Sequence, residues 1–522
     1  MKESRRFYPN RELAAHLLGY VGVDNRGLAG IESTYDKLIK GLPGTLLIQT
    51  DAKRQPFSRV ERPSTTGATL ELTIDEYLQH IAERELEAGV AANRAAGGTA
   101  VIMDPWTGEI LAMANAPTFN PNAYREGNEE ARRNRAIQDL YEPGSTFKIV
   151  TASAALEQGF IQPNDLIDVR GGRLQIGTRV IHDTHDYGIL SFTDVLVVSS
   201  NIGAIKVGLR LGKERMGMYA RRFGFGKPTS PDFPAENPGI IWDPAQQTEG
   251  ALASMAMGYQ VGVTPLQMAA AVSSVANGGE LFEPRVVRAV VKDGRRLPVP
   301  HKVVRHTIAP AIASELTTIM EQVVERGTAT MVKLPDYTVA GKTGTAAKLV
   351  NGRYSRTDYN ASFVGFVPSR KPVFAIVVVL DSPHGPNGYY GGPVAGPIFK
   401  QIAVAAMRQY GVPPSINPAP PVLVNEPKPK APEPVFPGAD PKILPVVNPG
   451  SGADVTFPDL RGLSARDALR ILAQIGMTAR LNGTGIVVRQ EPQPGTTIDR
   501  GDVSNLWLDR QIVGTGGSSN QP

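Results

Sequence analysis

The chain has 522 residues, of which 41% are hydrophobic and 20% charged, with a net charge of +5. That length predicts two to four domains, that composition excludes wholesale disorder, and so small a charge does not argue for nucleic acid. The absence of cysteine excludes disulfide frameworks, thiol catalysis and Cys-ligated metal centres together.

Residues 1–66 are rich in turns and charge, with glycines punctuating short apolar pieces and no compact core of their own. Lys2, Glu3, Arg5, Arg6 and Asn10 interrupt any signal-peptide core. Thr73-Ile-Asp-Glu76 reads as a capping box that opens a helix with Leu78, Ala82, Leu86 and Val90 on its apolar face. Thr99–Asp104 and Glu109–Met113 flank a Pro105-Trp-Thr-Gly108 turn, which predicts a hairpin. Helical patterns dominate from about 145 to 330. Tyr337–Ala346, Ala361–Val367 and Val373–Leu380 then read as three strands, and Val394–Met407 as a closing helix. Val373–Leu380 is also the longest purely apolar run, far short of a membrane span. Strands at both ends of a largely helical region predict one mixed α/β domain whose sheet joins those ends.

Thirteen prolines fall between Gly411 and Gly450; such a stretch cannot pair its amides and reads as an extended linker. Beyond it, Ser464-Ala-Arg-Asp467 is a second capping box, opening a helix with Ala468, Leu469 and Leu472 on its apolar face and Gly476 at its C-cap. Ile486–Arg489 and Val503–Leu508 are strand-like, parted by Pro494-Gly495. One helix on a small sheet is expected there. Gly514–Pro522 reads as a disordered tail.

Three motifs carry chemistry. In Glu142-Pro-Gly-Ser145-Thr-Phe-Lys148 a proline and a glycine precede an apolar-periodic run, which sets Ser145 at a helix N-terminus with Lys148 one turn up the same face. A serine hydroxyl needs an adjacent base, and a lysine serves when burial and positive neighbours leave it neutral. The plain alternative is a capping serine beside a solvated lysine. Ser199-Ser-Asn201 lies at a break between helical stretches Phe192–Val198 and Ile202–Leu211. Its hydroxyl and carboxamide suit a proton relay and a substrate amide, or simply a polar turn. Lys342-Thr-Gly-Thr345 sits in a strand pattern, and a phosphate loop is excluded because Asp336 stands where that motif needs glycine. A strand whose glycine lets a substrate backbone lie close fits it, as does an edge strand blunted by lysine. His182-Asp-Thr-His185 looks metal-like but has no third ligand, and no metal is assigned. Tyr389-Tyr-Gly-Gly392 follows the last strand, but loop aromatics beside glycines are common and it is not assigned to the cleft.

Together, Ser145-x-x-Lys148, Ser199-x-Asn201 and Lys342-Thr-Gly344 are the set found in penicillin-binding proteins and class A β-lactamases. The chain resembles a class B penicillin-binding protein, a peptidoglycan D,D-transpeptidase of the division or sporulation type. Arg6-Phe-Tyr-Pro9, His16–Gly22 and Gly30-Ile-Glu32 are similar to that family's N-terminal pedestal. Tyr141–Lys148 and Met257–Gln267 are similar to its catalytic domain, and Pro458-Asp-Leu-x-Gly462 with Gly485–Gly495 to a single PASTA module.

The resemblance implies a mixed α/β (α+β) fold with an antiparallel sheet flanked by helices. It implies a partial pedestal at 1–66, a transpeptidase domain at 67–410, a linker at 411–452, a PASTA module at 453–510 and a tail at 511–522. Ser145 would attack a D-Ala-D-Ala stem peptide, Lys148 would take its proton, and Ser199 with Lys342 would pass a proton to the leaving D-alanine. Asn201 would bind the substrate amide, while Thr343, Gly344 and Thr345 would line the subsite for its terminal carboxylate. The amides of Ser145 and Thr345 would form the oxyanion hole, without cofactor or metal. Implied partners are stem peptides and their lipid-linked precursor, β-lactams as inhibitors, and a glycosyltransferase of the division machinery in the membrane. The expected place is the extracytoplasmic face of the bacterial membrane, with an anchor and the first part of the pedestal missing upstream of Met1. The residues alone leave open a D,D-carboxypeptidase, a β-lactamase and a non-catalytic wall-binding or β-lactam-sensing protein.

Overall fold

The structure is a computed structural model that describes residues 6–42, 44–50, 53, 55–416, 455–475, 477–498 and 503–509. These fall into two compact units, residues 6–416 and residues 455–509. Most of the proline-rich linker, the tail and Gly476 lie outside the described residues.

In the first unit, α1 (Glu76–Ala92) starts later than the Thr73 box predicts. Its cap is Asp75, whose carboxylate accepts from the Leu78 amide at 3.0 Å. Thr69–Leu72 still runs as a strand against Val287–Lys292, so Thr73 donates to the Ile110 carbonyl at 2.5 Å instead. The predicted hairpin follows as β1 (Gly97–Met103) and β2 (Ile110–Ala116), paired antiparallel. The middle of the unit holds α2 (Lys148–Glu157), α3 (Phe192–Val197), α4 (Asn201–Leu211), α5 (Pro265–Ala276) and α6 (Pro310–Arg326). Then come β3 (Ala340–Val350), β4 (Arg353–Val367), β5 (Phe374–Asp381) and α7 (Gly391–Gln409).

The sheet is antiparallel in the order β3-β4-β5-β1-β2. Val377 of β5 faces Val101 of β1 in register, so the two ends of the region meet at the sheet centre, as the strand pattern predicts. Successive strand residues point to opposite faces. Val101, Met103, Phe366 and Val377 pack on one side with Leu266 and Val272 of α5. Ile102, Phe363, Val378 and Leu380 pack on the other with Leu86 of α1 and Phe399 and Ile402 of α7. Helices cover both faces, which is why β5 is apolar throughout rather than alternating. Each such side chain contributes about 1.5–3 kcal/mol by leaving water.

The β3–β4 hairpin runs well past the predicted strand ends, to a turn at Asn351-Gly352 with φ of +51° and +75°. Beyond Ala346 its side chains are largely exposed, so no apolar alternation marks it; the Asn-Gly pair is the signal that does. Residues 6–66 form short helices, among them Ala15–Leu18 and Gly30–Thr34, and a hairpin of Thr45–Thr50 with Pro56–Arg62. Leu17 and Ile31 enter the main core, and the Tyr35 hydroxyl donates to Asp232. The segment shows little core of its own because buried residues such as Leu17 and Ile31 pack on the body, whereas Val23, Leu42 and Leu47 stay exposed.

The second unit is one helix (Ala465–Gln474) on a three-stranded sheet. Its central strand, Val503–Asp509, is parallel to Thr478–Gly483 and antiparallel to Ile486–Glu491. Phe457, Leu460, Ala468, Leu472, Val487 and Leu506 make the core. Leu469, expected on the apolar face, is instead 38% exposed. Ala468 and Leu472 stack four apart, and the next residue turns about 100° away from them.

Candidate active site

Ser145 lies in a tight 3₁₀ turn, Gly144–Phe147, that runs straight into α2 at Lys148. The turn is pressed against β3. A Cβ on Gly344 would fall 2.3 Å from Ser362 Oγ and 2.9 Å from the Pro143 carbonyl, so only glycine lets strand and turn approach this closely. Gly144, at φ +53°, faces the Thr345 carbonyl in the same way, where a Cβ would sit 3.0 Å away. Thus the first and third motifs meet. Among the described residues β3 is the edge strand of its sheet, with no neighbouring strand on its outer backbone groups.

The second motif joins them through Ser199, which sits between α3 and α4 with φ of +62°. Lys148 Nζ donates to the Ser199 carbonyl at 2.7 Å, to Asn201 Oδ1 at 2.9 Å and to Ser199 Oγ at 3.3 Å. Lys342 Nζ reaches the same hydroxyl at 2.8 Å from the other side. No hydrogen bond joins Ser145 to Lys148, although the helical spacing predicts their proximity, because Lys148 Nζ is turned toward three acceptors on the second motif. Ser145 itself is half-buried.

Both lysines are buried, at 1% and 0% exposure. Burial penalises an ammonium and pulls Lys148 from the ordinary 10.5 down to about 7, against the opposing charge of Asp183. Lys342 is also held well below the usual lysine range, by burial and by the positive charge of Lys148. The site therefore holds an amine that is readily neutral near pH 7 next to a hydroxyl that a second buried lysine contacts from the other side. That is the equipment for moving a proton to and from a serine.

The remaining predicted residues line the same place. Thr343 and Thr328 share a hydrogen bond between their hydroxyls at 2.7 Å, and Thr345 Oγ1 accepts from the Gly391 amide, at the start of α7, at 3.0 Å. Just before that amide, Tyr389 stacks between Tyr359 and Tyr390, with ring centroids 4.1 and 4.7 Å apart. The motif reading gives no role to Thr328, to Asp183 or to Glu142, although Glu142 opens the first motif. Thr328 reaches the site only through the packing of α6. Glu142 accepts from the Gln260 amide at 2.6 Å and from the Tyr354 hydroxyl at 3.1 Å. Asp183 lies inside the His182–His185 motif, which resembles a metal site in sequence. Among the described residues no group of three or more His, Cys, Asp and Glu side chains is placed to hold a metal.

Residues 98–403 match the family model of the penicillin binding protein transpeptidase domain, 1–72 that of the penicillin-binding protein dimerisation domain, and 455–510 that of the PASTA domain. Among curated proteins, stage V sporulation protein D of Bacillus subtilis is 32% identical over 97% of this chain and 76% of its own length. The peptidoglycan D,D-transpeptidase FtsI of Escherichia coli is 35% identical over 79% of this chain and 68% of its own. Among solved structures, penicillin-binding protein 3 of Mycobacterium tuberculosis, complexed with ampicillin, superposes with a TM-score of 0.72 at 30% identity, over 80% of this chain and 92% of that one. With three motifs folded into one buried cluster and such relatives along nearly its whole length, the chain belongs to the penicillin-binding protein transpeptidase family.

Proposed function

We propose that the chain is a serine-type peptidoglycan D,D-transpeptidase with Ser145 as its nucleophile. The observation that carries the reading is the meeting of Lys148, Asn201 and Lys342 around Ser199, beside the turn that bears Ser145. Lys148, as the neutral amine, takes the Ser145 proton while Oγ attacks the carbonyl of the penultimate D-alanine. The backbone amides of Ser145 and Thr345 receive the oxyanion, where losing one donor costs about 3–4 kcal/mol. The terminal D-alanine departs as an amine with a proton delivered through Ser199, whose hydroxyl Lys342 holds. Asn201 binds a substrate amide, Thr343 and Thr345 take the terminal carboxylate, and Gly344 lets the peptide lie close. The open edge of β3 supports such docking by strand addition. An amine of a neighbouring stem peptide then attacks the ester and restores the Ser145 hydroxyl.

The scheme needs no cofactor. β-Lactams would acylate the same serine, and the lipid-linked precursor and a membrane glycosyltransferase would be its working partners. The same reading assigns 1–66 to a pedestal, 67–410 to the transpeptidase domain and 453–510 to the PASTA module, working at the extracytoplasmic face of the membrane. No helix among the described residues is long and apolar enough to cross a membrane.

Labelling with a fluorescent penicillin tests the nucleophile. The wild type is expected to carry the label on Ser145 and Ser145→Ala to lose it; label retained by Ser145→Ala overturns the assignment. Supplying a D-Ala-D-Ala peptide together with an amine acceptor separates transfer from hydrolysis. Release of acid alone would make the chain a carboxypeptidase.

A further inference from the structure

The His182-Asp-Thr-His185 motif forms a strap across the start of α4. It leaves the strand Arg179–His182, which pairs with Arg173–Ile176, and the Asp183 amide donates to the Gly172 carbonyl at 3.0 Å. His182, Thr184 and His185 are exposed, whereas Asp183 is half-buried. One carboxylate oxygen of Asp183 accepts from the Asn201 amide at 2.5 Å and the Ile202 amide at 3.2 Å, and the other accepts from the Ser200 hydroxyl at 2.6 Å. The strap also receives the Asn201 side chain, whose Nδ2 donates to the His182 carbonyl at 3.4 Å. That contact turns the carboxamide oxygen toward Lys148 Nζ, 2.9 Å away.

We propose that Asp183 is a positioning residue, which fixes Asn201 in place and sets the charge that Lys148 meets. Three points carry this. The carboxylate satisfies amides at the N-terminus of α4 that would otherwise lack partners and so ties down the loop between Ser199 and Asn201. The strap fixes which end of the Asn201 carboxamide Lys148 meets. Lastly, burial opposes the Lys148 ammonium and the charge of Asp183, on the strap, favours it, while Lys342, on β3, meets the same Ser199 hydroxyl from the other side. The two histidines of the motif take no part beyond the His182 backbone carbonyl.

The role rests on Ser145 and Lys148 working as proposed, and the test separates the two. Acylation by a fluorescent penicillin is followed against pH for the full chain, and the Lys148 titration is read directly by NMR of ¹³C-labelled lysine, assigned with Lys148→Arg. Asp183→Asn keeps the shape and removes the charge. It is expected to move the Lys148 midpoint to lower pH by about one unit, carry the acid limb of acylation with it, and lower the plateau rate about tenfold. Asp183→Glu, which keeps the charge, is expected to hold the midpoint near the wild-type value, and His185→Ala to leave both readings unchanged. A plateau that falls while the midpoint stays fixed would reduce Asp183 to an ordinary helix cap and overturn the proposal. So would a shifted midpoint in Asp183→Glu. Failure of the Ser145 reading shows instead as label on Ser145→Ala or none on wild type, and the NMR midpoint then still decides the case of Asp183.

Discussion

Lys342 Nζ lies 2.8 Å from the hydroxyl of Ser199, across 143 positions of sequence, and ties the edge of the sheet to the helical half of the body. Replacing Lys342 by methionine keeps the stem and removes the donor. Acylation by a fluorescent penicillin is expected to fall about 10²- to 10⁴-fold, the usual worth of a positioned proton-transfer group. The thermal midpoint should hold or rise, because a desolvated amine is lost from the interior. A rate within twofold of wild type would remove Lys342 from the machinery.

The acid limb of acylation is expected to have its midpoint near pH 7. Burial lowers Lys148 from 10.5 to about 7, so above that pH the amine is largely neutral and able to accept the serine proton. Below it the ammonium dominates, and the rate should fall tenfold per pH unit. A profile flat down to pH 5 in stopped-flow measurements would exclude Lys148 as the base.

Gly344→Ala should cost both stability and activity. The added carbon meets Ser362 Oγ at 2.3 Å and backbone at 2.9 Å, so strand and turn must separate. Overpacking of this kind costs about 1–3 kcal/mol. Penicillin labelling is expected to drop at least as steeply as the denaturation midpoint, since the displaced groups are those of the site.

Away from the site, Glu109 is bound by Arg285 at 2.7 Å and Arg288 at 2.8 Å, with Glu109 and Arg285 side chains only 11% and 8% exposed. Glu109→Gln breaks a buried ion pair and is expected to cost about 3–5 kcal/mol in urea unfolding. Burial raises the Glu109 carboxyl, but the two guanidiniums outweigh it and hold the group below its usual range. Its contribution is therefore present above the ordinary glutamate range and lost as the pH falls through the lowered value. Wild type should lose more stability on acidification than Glu109→Gln.

In the second unit Gln490 is 1% exposed; it accepts from the Leu460 amide at 2.7 Å and donates to the Pro458 carbonyl at 2.8 Å. Gln490→Ala strands both backbone groups, at about 1–3 kcal/mol. Calorimetry should show the loss in the transition of residues 455–509.

Legibility in the sequence followed the range of the interactions. Ser145, Lys148, Ser199, Asn201 and Lys342 could be read because proton transfer restricts residue type and short spacing restricts geometry. The β5–β1 pairing could be read because strand patterns stand at both ends of a largely helical region, and one sheet joining them buries both. Thr328 and Asp183 could not, since each acts through a contact between segments whose separation in sequence says nothing of their distance in space. Asp75 displaced Thr73 as a cap because a strand partner more than 200 residues away claims the chain up to Leu72. The Asn351-Gly352 turn was legible in principle, but its exposed flanks hide it from any search for buried strands.

The pairing of β5 with β1 gives a penicillin adduct a second meaning. Ser145 and Ser199 belong to the stretch between the two halves of the sheet, and Lys342 to the half that comes later. Hence the cluster exists only in molecules whose early and late strands have found each other. Covalent label then counts correctly assembled bodies, and a variant that folds in only one half registers as silent whatever its helix content.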